Sequence, residues 1–414
     1  MTAPWLRRSN GAGAPLDNKR FSRSGGAIAA GLLAGAGLVV AAPATLAPAT
    51  AAAGLLAWPS FRKAQAAGRW VFLWLCLGLL LYCGLTLMWA PSGSARSYGW
   101  TVLVALCLFA YVIASDLSRV ADRELASRAA LGGFAAGVAL LFMDSLFGLS
   151  VSMSLLDLDS PEGVQEARQH ARYALAAATL LLCGAGAVLC RGGPSGWLLT
   201  AAAAAFCFWI ARQLDHGVAV VALSVGALAG AAAFLRPEAT LLTLSQAAAV
   251  WLVASPWLLG PVSEALAQLS LPLLPPTHDF AWLGRLQTWS FTVERVSERP
   301  FLGWGFGASA SFQDSYQLGG YLLPFVPSTP QSAALQLWLE AGAIGAAMAA
   351  AALAALGRRL GAMLARDRWG AAWAGAAFGV ALTYFSLDLG LWSAWFWGAL
   401  VMAASVLRLS RPPE

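Results

Sequence analysis

The chain has 414 residues, of which 59% are hydrophobic and 11% are charged, and its formal net charge is +6. Apolar runs of about 18 residues or more recur along it, which excludes an ordinary soluble protein and predicts a membrane-spanning one. The positive charge does not indicate nucleic-acid binding, because the Lys and Arg residues lie in short loops between the apolar runs. Residues 1–25 are polar and are expected to form a disordered, cytoplasmic N-terminus.

The apolar runs predict one α-helical bundle over residues 26–410 with about twelve transmembrane helices, because backbone amides in lipid must find hydrogen bonds within the chain. Residues 27–58 are interrupted by Pro43 and Pro48 and indicate a hairpin of two short spans. The other spans are predicted near 69–90, 97–115, 128–147, 172–190, 195–211, 216–234, 239–259, 333–356, 370–387 and 391–407. A large loop, residues 260–332, is left between two of them.

Basic residues concentrate in alternate loops, and both termini are basic as well. Because Lys and Arg favour the cytoplasmic side, we expect both termini in the cytoplasm and the 260–332 loop on the outer side. The six cysteines fall inside apolar runs, where small packing residues are expected. The three histidines are scattered, so neither a metal site nor a cofactor is predicted.

The 260–332 loop contains an amphipathic helix. One stripe of it is apolar, at steps of three and four residues: Trp282, Leu286, Trp289, Val293 and Val296. The neighbouring stripe carries cations and hydroxyls: Arg285, Thr288, Thr292, Arg295 and Arg299. Pro300 should end the helix. The pattern predicts a helix at the membrane surface whose cationic, hydroxyl-bearing side could hold a phosphate.

The next span has an unusual start. Thr329 is the expected N-cap and Pro330 the expected first-turn residue, so that free amides at the helix start could face an anion. Gln336 and Glu340 follow on one face. A carboxylate inside a span is costly, which marks Glu340 as either a functional group or a partner of a neighbouring side chain.

Two stretches of this region resemble the O-antigen ligase and polymerase family, bacterial membrane glycosyltransferases. Residues 285–305 look like the family's Arg-x-x-x-Trp…Arg-Pro-x-x-Gly-x-Gly segment, and residues 335–342 look like its Leu-Gln-x-Trp-x-Glu-x-Gly helix. The likeness is greatest to the exopolysaccharide-polymerase-like branch, and the predicted twelve-span layout is similar. Gln331 stands where relatives commonly carry a histidine.

The resemblance implies an inner-membrane enzyme of surface polysaccharide biosynthesis. It would transfer or polymerise glycan from a polyprenyl-diphosphate-linked donor to an acceptor glycan or lipid on the periplasmic face. The lipid bilayer and other polysaccharide-assembly proteins are the remaining expected partners. Two alternatives stay open: a catalytically impaired relative that binds lipid-linked glycan as an accessory, and, less favoured, a transporter or flippase.

Within that chemistry, Arg285 is the first candidate to stabilise the diphosphate, because a guanidinium can bind two phosphate oxygens while staying charged. Arg295 and Arg299 could assist it, or could pair with nearby glutamates. Arg172 could reach the same cleft, or could instead extend to the membrane surface.

The acceptor hydroxyl must lose a proton, which Gln331 can orient but cannot accept. His278 is the candidate base, although a surface histidine in a Pro-rich loop is often simply solvated. Trp289 and Trp304 could stack on sugars or form an interfacial belt. Gln336 and Glu340 complete the candidate site, and Asp388 is expected to face solvent.

Overall fold

The computed structural model describes residues 22–37, 43–57, 70–117, 120–156, 161–270, 280–318 and 321–411. This part of the chain is almost entirely helical. The helices are α1 Arg23–Gly37, α2 Leu46–Leu56, α3 Val71–Thr86, α4 Ser94–Ala114, α5 Val120–Leu146, α6 Ser150–Leu156, α7 Pro161–Leu189, α8 Pro194–Gln213, α9 Gly217–Leu235, α10 Pro237–Ser270, α11 Phe280–Glu298, α12 Ala333–Leu364, α13 Arg368–Leu387 and α14 Ala394–Ser410.

The prediction of an α-helical, polytopic membrane protein is confirmed. Among the described residues, eight helices are long and apolar enough to cross a membrane, namely α4, α5, α7, α8, α9, α10, α12 and α13. Large apolar side chains such as Leu198, Leu228 and Val250 are mostly exposed on them, as lipid-facing side chains should be. Helices α1, α2, α3 and α14 fall short of 18 residues, so length alone does not give twelve spans.

Helix α7 is the centre of the bundle. In its apolar stretch 78% of the residues are buried, against 56% in α13 and less in the other long helices. Its inward residues are small or medium-sized, among them Ala174, Ala177 and Leu180, so that α14, α8 and α13 can pack around it. Helix α7 is therefore the most deeply buried of the long helices in the described part of the chain.

Helices α9 and α13 approach each other closely through small residues. Gly226 and Gly230 on α9 face Gly375 and Gly379 on α13 in two small-xxx-small patterns. A Cβ atom added to Gly375 would lie 2.9 Å from the carbonyl oxygen of Ala229, so the contact is made by backbone atoms. The two helices therefore pack with their backbones in close contact along this stretch.

Several predicted boundaries are wrong. Helix α10 does not end near residue 259 but continues to Ser270, through Pro256 and Pro261. Helix α12 begins at Ala333, where its span was predicted to begin, but its N-cap is Ser332 and not Thr329. Prolines inside an apolar helix are tolerated where packing against neighbours compensates the lost backbone bonds, a compensation that the sequence does not display. The predicted disordered segment lies mostly outside the described residues.

Helix α12 is broken at Gly342, and residues 299–307 fill the break. Gly342 has φ 63° and ψ −163°, a conformation available essentially to glycine alone. The amide of Trp304 donates to the Leu339 carbonyl at 2.7 Å, and the amide of Gly305 donates to the Glu340 carbonyl at 3.0 Å. In return, the Ala343 amide donates to the Pro300 carbonyl at 2.8 Å. The glycine-rich turn is therefore a structural partner of the broken span.

A short antiparallel hairpin follows this turn and was not predicted. It pairs β1 Ser315–Leu318 with β2 Tyr321–Pro324, with Ser315 opposite Pro324. The chain then returns through Phe325, whose carbonyl accepts a hydrogen bond from the Thr288 hydroxyl at 2.6 Å. The hairpin segment therefore lies over the polar side of α11.

Candidate functional site

Arg285 on α11 is the centre of a polar cluster built from distant parts of the chain. Its Nε donates to Gln331 Oε1 at 2.8 Å, and its Nη2 pairs with Asp388 Oδ1 at 2.5 Å. The Arg285 side chain is 17% exposed, whereas that of Asp388 is 7% exposed. Three segments far apart in sequence therefore meet at one guanidinium that still reaches the surface.

Apolar contacts hold Arg285 in place. Leu286 and Trp289, its neighbours on α11, are buried in a cluster with Leu259 of α10 and Leu335 of α12. The indole nitrogen of Trp289 donates to the Pro330 carbonyl at 3.1 Å, and this bond anchors the loop segment just before α12. A helix is present where the periodicity predicted it, and its apolar stripe packs against α10 and α12 inside the protein.

Gln331 occupies the position that the resemblance assigns to a histidine. Its backbone φ is 53°, in the left-handed region that few residues other than glycine adopt. Its side-chain amide oxygen is the acceptor for Arg285. In this structure Gln331 orients the arginine, a role that requires no proton transfer.

Asp388 is the residue that sequence reasoning placed wrongly. Instead of facing solvent, it ends α13 as a nearly buried carboxylate paired with Arg285. The amides of Asp388 and Leu389 both donate to the Tyr384 carbonyl, at 3.0 and 2.9 Å, so that the helix end is closed by the chain itself. The sequence did contain a signal for this role, because Asp388 is an acidic residue that ends an apolar span on the predicted outer side.

His216 is a second residue of the cluster that was missed. It lies in the turn between α8 and α9, and its side chain is 4% exposed. Its Nε2 is 3.8 Å from Asp388 Oδ2. Burial lowers the pKa of the His216 imidazole from 6.5 to about 4; the charge of Asp388 acts in the opposite direction, and those of Arg172 and Arg285 lower it further. His216 is therefore neutral at physiological pH.

Arg172 contributes to the cluster indirectly. Its Nε and Nη2 donate to the carbonyl oxygen of Leu214 at 3.1 and 2.9 Å, in the turn that carries His216. Asp215 in that turn has φ 49°, so the turn adopts a costly conformation that neighbouring contacts must hold. The Arg172 guanidinium is near enough to Asp388 and Arg285 to interact with their charges, and its hydrogen bonds stabilise the turn.

Glu340 and Gln336 belong to a separate, fully buried cluster. The hydroxyl of Ser309 and the amide nitrogen of Gln336 donate to Glu340 Oε1, the latter at 3.1 Å. The indole nitrogen of Trp392 donates to Glu340 Oε2 at 2.7 Å. Glu340 is 1% exposed and thus bonded to neighbouring segments, which is one of the two roles expected of it.

The two clusters share one turn, residues 388–393. Asp388 at its start pairs with Arg285, while the Leu391 amide donates to Gln336 Oε1 at 2.7 Å and Trp392 bonds Glu340. A Cβ on Gly390 would lie 2.6 Å from that same Gln336 oxygen. The buried cluster therefore fixes the turn from which Asp388 reaches Arg285.

The other cations of α11 do not join Arg285. Arg295 lies roughly 15 Å further along the helix, pairs with Glu298 at 2.7 Å, and lies 4.9 Å from the Phe291 ring. Arg299 lies over the ring of Trp304 at 4.1 Å. The pairing of Arg295 with Glu298 matches the alternative interpretation, whereas the contact of Arg299 with an aromatic ring was not expected.

The predicted hydroxyl-bearing side of α11 is not open to a ligand. Thr288 and Thr292 are buried, and their hydroxyls donate to carbonyls of the same helix and of Phe325. Trp289 is likewise 2% exposed, so its ring packs in the core and cannot stack on a sugar here. Helical periodicity identified the stripes correctly, but the hairpin segment that covers one of them is invisible in the pattern.

His278 lies outside the described residues. Among the residues that are described, no group of three or more His, Cys, Asp or Glu side chains is placed to hold a metal ion. The fold and the site together define a polytopic α-helical membrane protein with an arginine-centred polar cluster at one end. No protein-family model, curated protein or solved structure matches the chain.

Proposed function

We propose that this protein is a bacterial inner-membrane glycosyltransferase of the O-antigen ligase and polymerase type, which transfers or polymerises glycan from a polyprenyl-diphosphate-linked donor. The observation that carries the proposal is the meeting of Arg285, Gln331 and Asp388, at 2.8 and 2.5 Å. A partly exposed guanidinium, held in a fixed orientation beside a span, can bind a diphosphate whose lipid tail lies among the helices.

The start of α12 supports anion binding at this place. Helix α12 begins at Ala333, two residues after Gln331, and no side chain caps its first turn. The N-terminus of a helix carries a positive partial charge and free amides, which favour a phosphate. Arg285 and this helix start together would stabilise the charge that develops on the leaving diphosphate.

The distribution of arginines along the bundle supports a position of Arg285 on the outer face of the membrane. Arg123, Arg191 and Arg411 gather around Asp367 and the end of α14, at the opposite end of α13 from Asp388. The 20 residues of α13 span roughly 30 Å, about the thickness of the hydrocarbon core. In the proposed topology this arginine cluster is cytoplasmic and Arg285 is periplasmic, with twelve spans and both termini inside, and the bias of arginine toward the cytoplasm supports that orientation.

One observation favours a second candidate, a non-catalytic protein that binds lipid-linked glycan. Asp388 already neutralises Arg285 at 2.5 Å, so an incoming diphosphate must displace a carboxylate. Gln331 cannot accept the proton of an acceptor hydroxyl. A protein with these features could bind a diphosphate without catalysing transfer.

The test is to incubate the purified protein in lipid nanodiscs with a polyprenyl-diphosphate-linked oligosaccharide and an acceptor glycan, and to follow transfer by mass spectrometry. Arg285→Lys keeps the charge but loses the two-pronged geometry, and should lower transfer by about 10²-fold or more. Arg128→Lys is the matched control, because the Arg128 side chain is 72% exposed and pairs with Glu124, four residues before it on the same helix. Donor binding without any transfer by the native protein would favour the accessory instead.

A further inference from the structure

His216 and Asp388 face each other with atoms that lack hydrogen-bond partners. Within the described residues, neither His216 Nε2 nor Asp388 Oδ2 has a partner, although both side chains are more than nine-tenths buried. Their separation of 3.8 Å is too long for a hydrogen bond and about 1 Å longer than a good one. Buried polar atoms are normally paired, so two facing unpaired ones indicate a second arrangement of this site.

The present arrangement has a clear charge balance. Arg285 is positive, Asp388 is negative and His216 is neutral, because burial holds the pKa of the imidazole at about 4. An anionic ligand on Arg285 would take that guanidinium away from Asp388. The carboxylate, which is 7% exposed, would then lose the counter-charge to which it is directly bonded. The charge of Arg172, whose guanidinium donates to the Leu214 carbonyl, would act on it only from a distance. Proteins avoid burying a charge without a directly bonded partner.

We propose that His216 takes up one proton when a diphosphate binds Arg285, and that the resulting imidazolium replaces Arg285 as the partner of Asp388. The proposal rests on the proposed function, in which Arg285 is the diphosphate-binding group. A shift of roughly 1 Å closes the contact between Nε2 and Oδ2 to hydrogen-bond distance. His216 is thus a positioning residue that acts on the ligand through Asp388.

The groups around His216 determine the sign of the pH dependence. They are Asp388 and the Tyr384 ring on α13, Arg172 on α7, Arg285 on α11 and Asp215 in the same turn. Ligand binding offsets the charge of Arg285 and releases that of Asp388, and both changes raise the pKa of His216 from its ligand-free value of about 4. Affinity for the diphosphate should therefore increase as the pH falls between the two pKa values, by up to about tenfold per pH unit.

The measurement is titration calorimetry of the full chain in lipid nanodiscs. The probe is a farnesyl-diphosphate-linked monosaccharide, a diester whose own phosphates do not titrate near neutrality. Repeating the titration at pH 6 in buffers of different ionisation enthalpy gives the number of protons taken up, which should lie between about 0.5 and 1 per ligand. A pH series of the native protein tests the same linkage without any variant.

His216→Gln is the informative variant, because glutamine can still donate to Asp388 but cannot be protonated. It should bind the probe with no proton uptake and with an affinity that no longer changes with pH. His170→Gln, a histidine on α7, is the matched control and should behave as the native protein does. Binding by the native protein without proton uptake, or uptake that persists in His216→Gln, would overturn the role of His216 but leave the proposed function standing. No binding at all would overturn the proposed function with it.

Discussion

Substitutions at the ion pair between Arg285 and Asp388 distinguish a structural role of the arginine from a functional one. Arg285→Ala removes the partner of a carboxylate that is 7% exposed. We expect this variant to be destabilised strongly, because an uncompensated charge is left in the protein. The double variant Arg285→Ala with Asp388→Asn removes that charge and should recover most of the stability, yet it should not recover glycan transfer.

The distance and burial of the ion pair determine how much unfolding free energy each variant should lose. With the Nη2–Oδ1 distance at 2.5 Å and both side chains mostly buried, loss of the arginine alone should cost about 3–5 kcal/mol of unfolding free energy. In the double variant no unpaired charge remains, because the amide that replaces the Asp388 carboxylate is neutral. The loss of unfolding free energy should therefore fall to roughly 1–2 kcal/mol. The difference, about 2–3 kcal/mol, is the stability regained when the unpaired charge of Asp388 is removed. The Asp388→Asn single variant completes the cycle and gives the coupling energy between the two positions.

The assay is denaturant unfolding in detergent for the four proteins of the cycle, with transfer from the lipid-linked donor measured on the same preparations. If the double variant is as unstable as Arg285→Ala, the pairing with Asp388 is refuted. If it is stable and still transfers glycan, Arg285 is a structural residue and the proposed site is wrong. A stable, inactive double variant supports both parts of the reasoning.

Three further outcomes are expected. Gln331→His introduces a proton acceptor beside the arginine, at a left-handed backbone position that histidine tolerates better than most residues. If the proposed transfer is catalysed here, turnover should rise by roughly 10²-fold or more. An unchanged rate in the transfer assay would mean that no base is needed at this position. Gly342→Ala should lose more than about 2 kcal/mol of unfolding free energy, because its Cβ would lie 2.3 Å from a carbonyl oxygen, whereas Gly99→Ala in an open helical position should be neutral or stabilising. Glu340→Gln should cost about 1–3 kcal/mol, because one amide hydrogen must face the Trp392 indole or another donor; native-like stability on unfolding would contradict the buried network.

Local patterns predicted what depends on local sequence. The period of the apolar residues predicted α11, and Leu286, Trp289 and Val296 of the apolar stripe are buried. It did not predict that Thr288 and Thr292 of the neighbouring stripe are buried as well. The length and hydropathy of the runs predicted the long spans. The same patterns could not show that β1 and β2, four residues each, fold back near the hydroxyls of α11, because such short strands carry no strong signal.

Site residues were predictable only where one chain segment contained the signal. Arg285 and Gln331 stood out because their neighbours resemble known motifs. Asp388 and His216 are single polar residues at the ends of different spans, and only the packing of α13 against α9 brings them together. Their contact arises from the tertiary structure and cannot be predicted from the sequence pattern of either segment.

The position of Glu340 illustrates how a buried carboxylate can matter without touching a ligand. Placing it inside a span is costly, and the cost is offset because Ser309, Gln336 and Trp392 all donate to it. Two of these contacts lead to the 388–393 turn, which in turn carries Asp388 to Arg285. Breaking the buried network should therefore loosen the pairing of Arg285 at a distance. Motif residues of α12 and of α11 would then depend on each other through a turn that belongs to neither motif.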